Sequence, residues 1–182
     1  MARSALVVLA EGFEETEAVT VIDILRRGGV AVTVAGLSSR QVTGSHAIAV
    51  AADTTLAEAG DRYDAVVLPG GQPGTDNLAA SQTVLSLLRK VSGAGALCAA
   101  ICAAPLVLAK AGLLAGRRAT CYPGVEKRLT GAVLSEEAVV KDGNVITGRA
   151  VGTAIPFALA IVRELAGAAA AAGVADKILH RP

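Results

Sequence analysis

The passage that decides the fold is ALVVLA (residues 5–10), followed by the turn EGFEE (11–15) and a periodic segment. An unbroken apolar run this short suits a strand buried on both faces. Ala18, Val21, Ile22 and Leu25 then keep the i, i+3, i+4, i+7 spacing of one helix face. Gly28-Gly29 ends that helix. A buried strand turning directly into an amphipathic helix is the first half of a β–α–β unit.

The alternation continues outward. VAVTVA (30–35) is a second strand and residues 48–52 another short one. AVVL (65–68) is a further buried strand, closed by Pro69-Gly70-Gly71. Residues 82–91 form a helix with Val84, Leu87, Leu88 and Val91 on one side. Residues 96–100 read as a strand and 104–111 as a helix that Gly112 ends. Val139-Val140 and Val145-Ile146, joined by Asp142-Gly143-Asn144, form a hairpin. A helix follows at 152–166, and the Ala-rich tail 168–179 suits a second. This pattern predicts one α/β domain over residues 1–182, with a mostly parallel sheet covered on both faces.

Composition excludes several classes. Of 182 residues, 53% are hydrophobic, so the chain is not disordered. The net charge of +1 and the scarcity of aromatics offer neither an electrostatic footprint nor a stacking platform for nucleic acid. Three cysteines do not all pair, and no charged-then-apolar leader opens the sequence, so a reducing, cytoplasmic setting is expected. No metal is expected, since His46 and His180 lack companions at ligand spacing. The uncharged stretch between Lys90 and Lys110 approaches membrane-spanning length, but it is rich in small residues and holds Pro105. A buried strand followed by a buried helix explains it better.

In parallel sheets of this kind the functional groups gather beyond the carboxyl ends of the strands. That points to residues 11–17, 69–74 and 100–105. Cys102, in AAICAAP (99–105), stands between strand and helix, with small neighbours that permit a sharp turn. Pro105 suits the helix's first turn. A thiol there faces the positive end of the helix dipole, which predicts a pKa below the free value of about 8.5. Cys98 belongs to the core, and Cys121 is read as a partly buried spectator. His180 reads as solvated and His46 as a loop residue. Glu14, Glu15 and Glu17 all suit a helix N-terminus, and helical geometry does not choose among them. A carboxyl beside a thiolate tends to stay protonated and to donate a hydrogen bond to sulfur. The glycines of PGGQPG (69–74) let an N–H pair with that of Ala103 as an oxyanion hole. Neither a phosphate-binding loop nor a G-x-G-x-x-G fingerprint is present.

Taken in order, ALVVLA (5–10) with GFEETE (12–17), VLPGG (67–71), AAICAAP (99–105) and Gly152-Thr153 resemble the ThiJ/PfpI superfamily, and within it the DJ-one branch of Parkinsonism-associated deglycase proteins. The resemblance runs nearly end to end. It implies a flavodoxin-like three-layer sandwich, usually a homodimer, with no cofactor. It implies Cys102 as nucleophile, Glu17 as the protonated carboxyl at its sulfur, and Gly71 and Ala103 as donors of the oxyanion N–H groups. Glu14, Arg27, His46 and Tyr122 are then the residues of the substrate and anion pocket. Tyr122 stands where relatives carry a site His, and His46 where they carry an Arg. The implied activity is glyoxalase or deglycase chemistry on methylglyoxal, glyoxal or early glycation adducts. The alternatives are a redox sensor whose Cys102 becomes a sulfinate, or a chaperone. Peptide or glutamine hydrolysis is not expected without a His near the elbow.

Overall fold

The computed structural model describes residues 3–181. Its main sheet has seven strands in the order β10-β11-β7-β6-β1-β2-β5. These are β1 (Ser4–Leu9), β2 (Ala31–Gly36), β5 (Thr54–Thr55), β6 (Ala65–Leu68), β7 (Leu97–Ile101), β10 (Val139–Asp142) and β11 (Val145–Gly148). All neighbours pair in parallel except β10 and β11, which form the expected hairpin. Beside the main sheet, β3 (Gln41–Thr43) pairs with β4 (Ala49–Ala51), and β8 (Arg118–Ala119) with β9 (Val133–Leu134).

The four-residue run of β6 and the five of β7 are buried throughout, as strands covered on both faces must be. Their side chains alternate between two cores. Leu6, Val8, Val66, Leu68, Cys98 and Ala100 pack beneath α2 (Gly74–Ala80), α3 (Gln82–Gly93) and α4 (Pro105–Lys110). Val7, Leu9, Val67, Ala99 and Ile101 pack beneath α1 (Glu15–Arg27), α5 (Ala154–Ala166) and α6 (Ala168–Lys177). The result is the expected flavodoxin-like sandwich of helices, sheet and helices. No helix among the described residues is long and apolar enough to cross a membrane, since the uncharged stretch splits into β7 and α4.

Three local expectations change. The loop after β6 continues into α2, which the sequence reading left without an element. Residues 48–52 hold the expected short strand, β4, but it lies in a side hairpin and not in the main sheet. The buried stripe of α1 runs through Glu17, Ala18, Val21, Ile24 and Leu25, with Ile22 only half-buried. Counted from Glu17 this is i, i+1, i+4, i+7, i+8, so the helix face turned to the core carries the carboxyl with it.

The chain reverses its winding direction at β1: the sheet grows one way through β2 and the other way through β6. A crevice opens beyond the carboxyl ends of strands at such a switch point. The loops after β1 and β6 flank that crevice, and the loop after β7 stands beside it.

Candidate active site

Cys102 follows β7 directly and holds a φ of 63°. A side chain in this left-handed region costs about 1–2 kcal/mol. Contacts on both sides enforce it: the Cys102 N–H donates to the Gly148 carbonyl at 2.9 Å, and the Cys102 carbonyl accepts the Tyr122 N–H at 2.8 Å. The thiol is thereby lifted off the end of the strand to half exposure, whereas Cys98 and Cys121 are buried at 0% and 1%. Cys121 is thus more deeply placed than its reading as a partly buried spectator. It packs in the core on the α2–α4 face, while Cys102 borders the opposite one.

Glu17 is fully buried. Its Oε2 accepts the Gly70 N–H at 2.8 Å, and its Oε1 is buried with no hydrogen-bond partner. Burial pushes its carboxyl up to about 7, against the pull of the Gly70 N–H and the Cys102 thiol. Burial first, then the charge of Glu17, push the Cys102 thiol up to about 12, while the N–H groups of Ala103 and Gly71 pull it down. The expected depression below the free value is therefore overturned. Desolvation and a neighbouring carboxylate outweigh a helix dipole that starts two residues beyond Ala103 and lasts only six residues. The physical meaning is a shared proton: two anions do not coexist here, and a thiolate forms when Glu17 keeps the proton.

Gly70 and Gly71 make this contact possible. A Cβ on Gly70 would lie 2.8 Å from both Cys102 Cβ and Glu17 Oε2. Gly71 has a φ of 92°, and a Cβ there would press on Gly12 O at 2.6 Å. Among the described residues neither the Gly71 nor the Ala103 N–H is taken by a backbone acceptor, and both act on the sulfur. They are placed to receive an oxyanion formed at the thiol.

Glu14 precedes α1 and caps it, its Oε2 accepting the Glu17 N–H at 2.7 Å. Glu15 is buried and paired with His46, whose Nδ1 lies 3.0 Å from Glu15 Oε2. Glu14, Glu15 and His46 bring one oxygen or nitrogen each within 4.8 Å of one another, in a set already committed to hydrogen bonds with the main chain and with each other. Tyr122 is half-exposed and joined to the elbow through its backbone. Arg27 is not brought to the thiol within this chain. It is exposed, bonds Asp23 at 2.6 Å, and lies ten helical residues beyond Glu17, about 15 Å along the axis. The sequence reading missed Gly70 as the donor to Glu17 and Gly148 as an anchor of the elbow. Pro69-Gly70-Gly71 hinted at the first; nothing local marked the second.

The model of the DJ-1/PfpI family matches residues 3–164. Protein dj-1beta of Drosophila melanogaster is 48% identical over 171 residues, covering 92% of this chain and 91% of that protein. The crystal structure of Drosophila melanogaster DJ-1beta superposes with a TM-score of 0.97 at 46% identity, covering both chains completely. A Caenorhabditis elegans protein named glutathione-independent glyoxalase DJR-1.2 is 37% identical over 169 residues, covering 91% of this chain and 90% of its own.

Proposed function

The chain belongs to the DJ-1/PfpI family, and on that premise we propose that it is a cofactor-free, cysteine-dependent enzyme of glyoxalase or deglycase type, acting on methylglyoxal, glyoxal or early glycation adducts. The observation that carries this reading is the fully buried Glu17 carboxyl, raised to about 7, beside a thiol on a strained turn. A group poised near neutral pH suits general acid–base work.

Cys102 sulfur adds to the aldehyde carbon of methylglyoxal, forming a C–S bond, and the alkoxide takes the proton that the pair shared. The N–H groups of Gly71 and Ala103 hold that oxygen. Glu17 removes the hydrogen of the former aldehyde carbon as a proton, leaving an enediolate, and returns it to the neighbouring carbon while the hydroxyl proton on the first oxygen passes to the second, giving the lactoyl thioester. One carbon is oxidised as the other is reduced, so the rearrangement needs no external redox partner. Water then cleaves the thioester to lactate and free thiol. The test is lactate formation from methylglyoxal without glutathione; wild-type activity no higher than that of Cys102→Ser would sink the reading.

A second reading, a redox sensor, is favoured by one observation: Cys102 is the half-exposed thiol of the three, next to two N–H groups that suit sulfinate oxygens.

A further inference from the structure

The mechanism leaves Glu15 unused, yet the turn between β3 and β4 is folded around it. Glu15 Oε1 accepts the N–H groups of His46 at 2.6 Å and Ile48 at 3.4 Å. Its Oε2 takes Ser45 Oγ at 3.4 Å and lies 3.0 Å from His46 Nδ1. A Cβ on Gly44 would strike this carboxylate, and Ala47 holds a φ of 63° as the chain rounds it. Burial alone would push the Glu15 carboxyl up; the His46 ring and the surrounding N–H groups instead hold it near 2, so it is an anion. The hydrogen bond to Glu15, and then its charge, raise His46. The His46 side chain is 71% exposed, so it exchanges protons freely with solvent.

These groups connect to the thiol in one row. Cys102 neighbours Glu17, the Glu17 N–H is capped by Glu14, and Glu14 acts electrostatically on both Glu17 and His46. Glu14 and Glu15 are the charged groups acting on His46 among the described residues. Only the backbone of residues 13–14 separates the turn from the site: Ser45 N–H donates to Phe13 O at 2.8 Å, and Glu14 N–H to Gly70 O at 2.9 Å. Two such backbone steps span about 10 Å.

We propose that Glu15 and His46 form a positioning dyad whose charge sets how readily the Cys102–Glu17 pair gives up its shared proton. Glu15 fixes the ring in place, and its hydrogen bond and charge favour the cationic ring. The cation offsets Glu14 and favours negative charge on the pair. As pH rises through the His46 transition that support is withdrawn, and the thiolate becomes harder to form. The proposal rests on Cys102 as the reactive thiol, not on what it turns over.

The test is iodoacetamide labelling of Cys102, read by peptide mass between about pH 5.5 and 9.5, in wild type, His46→Gln and His46→Arg. A unit charge about 10 Å away predicts that His46→Gln raises the labelling midpoint by about half a pH unit. His46→Arg, whose charge does not titrate, keeps the midpoint at or below that of wild type. Superimposed profiles, an Arg variant that behaves like Gln, or no labelling in any of the three overturns the proposal. Profiles that separate as described in a wild type that forms no lactate sink the glyoxalase reading and leave the dyad standing.

Discussion

One carboxylate oxygen of Glu17 accepts the N–H of Gly70 at 2.8 Å, and the other is buried without a hydrogen-bond partner of its own. The pairing commits half of the group to structure and leaves half for chemistry. Glu17→Gln keeps an acceptor for Gly70 and loses the exchangeable proton. It should lower lactate formation by about 100-fold while Cys102 remains open to alkylation, and the inflection near pH 7 in the labelling profile should disappear.

The same carboxyl makes stability pH-dependent. Its folded pKa, about 7, stands above the ordinary 4.5, so the neutral form is the one that folding favours. That contribution is complete below about pH 4.5 and is lost as pH rises through 7, a difference of about 3 kcal/mol. Denaturant unfolding of wild type should show the decline between these limits, and Glu17→Gln should remove it.

Gly70→Ala places a methyl group 2.8 Å from Cys102 Cβ and 3.0 Å from Ile101 O, neither of which has room to yield. Overpacking of this kind costs about 1–3 kcal/mol. The variant should unfold at lower denaturant and lose at least about tenfold in activity, because the displaced groups are those that share the proton.

The strain at Cys102 is measurable directly. At a φ of 63° alanine suffers as cysteine does and glycine does not. Cys102→Gly should be more stable than Cys102→Ala by about 1 kcal/mol in equilibrium unfolding. Equal stabilities would mean that the turn stores no strain.

Tyr122 meets the elbow through its backbone N–H, which any residue but proline supplies. Tyr122→Phe should therefore retain activity within about twofold, and Tyr122→His should raise it by about tenfold by adding a base. A Phe variant as impaired as Glu17→Gln would show that the phenol takes part in the chemistry.

Under mild peroxide, oxygen should appear on Cys102 before Cys98 or Cys121. Cys98 and Cys121 are sealed in the core, whereas Cys102 reaches solvent, so access decides the order. Intact-mass and peptide analysis check the order.

The alternation of short apolar runs with amphipathic segments was enough, by itself, to establish a covered parallel sheet, because strand burial and helix faces are written in local periodicity. It also established Cys102 as the candidate nucleophile, since small residues between a buried strand and a proline-started helix imply a sharp turn. Local periodicity did not choose among the three glutamates, although the family resemblance already named Glu17; the physical reason lies in the packing. Glu17 is singled out by the Gly70 N–H, 53 positions away, and Glu15 is claimed by the turn that carries His46. Only the packing of β6 beside β1 and of the β3–β4 turn against α1 makes those contacts. The position of Arg27, and a thiol pKa that rises where the helix dipole alone suggested a fall, were likewise decided by tertiary structure. Desolvation and charge contact depend on what surrounds a group in space, and no spacing along the chain records that.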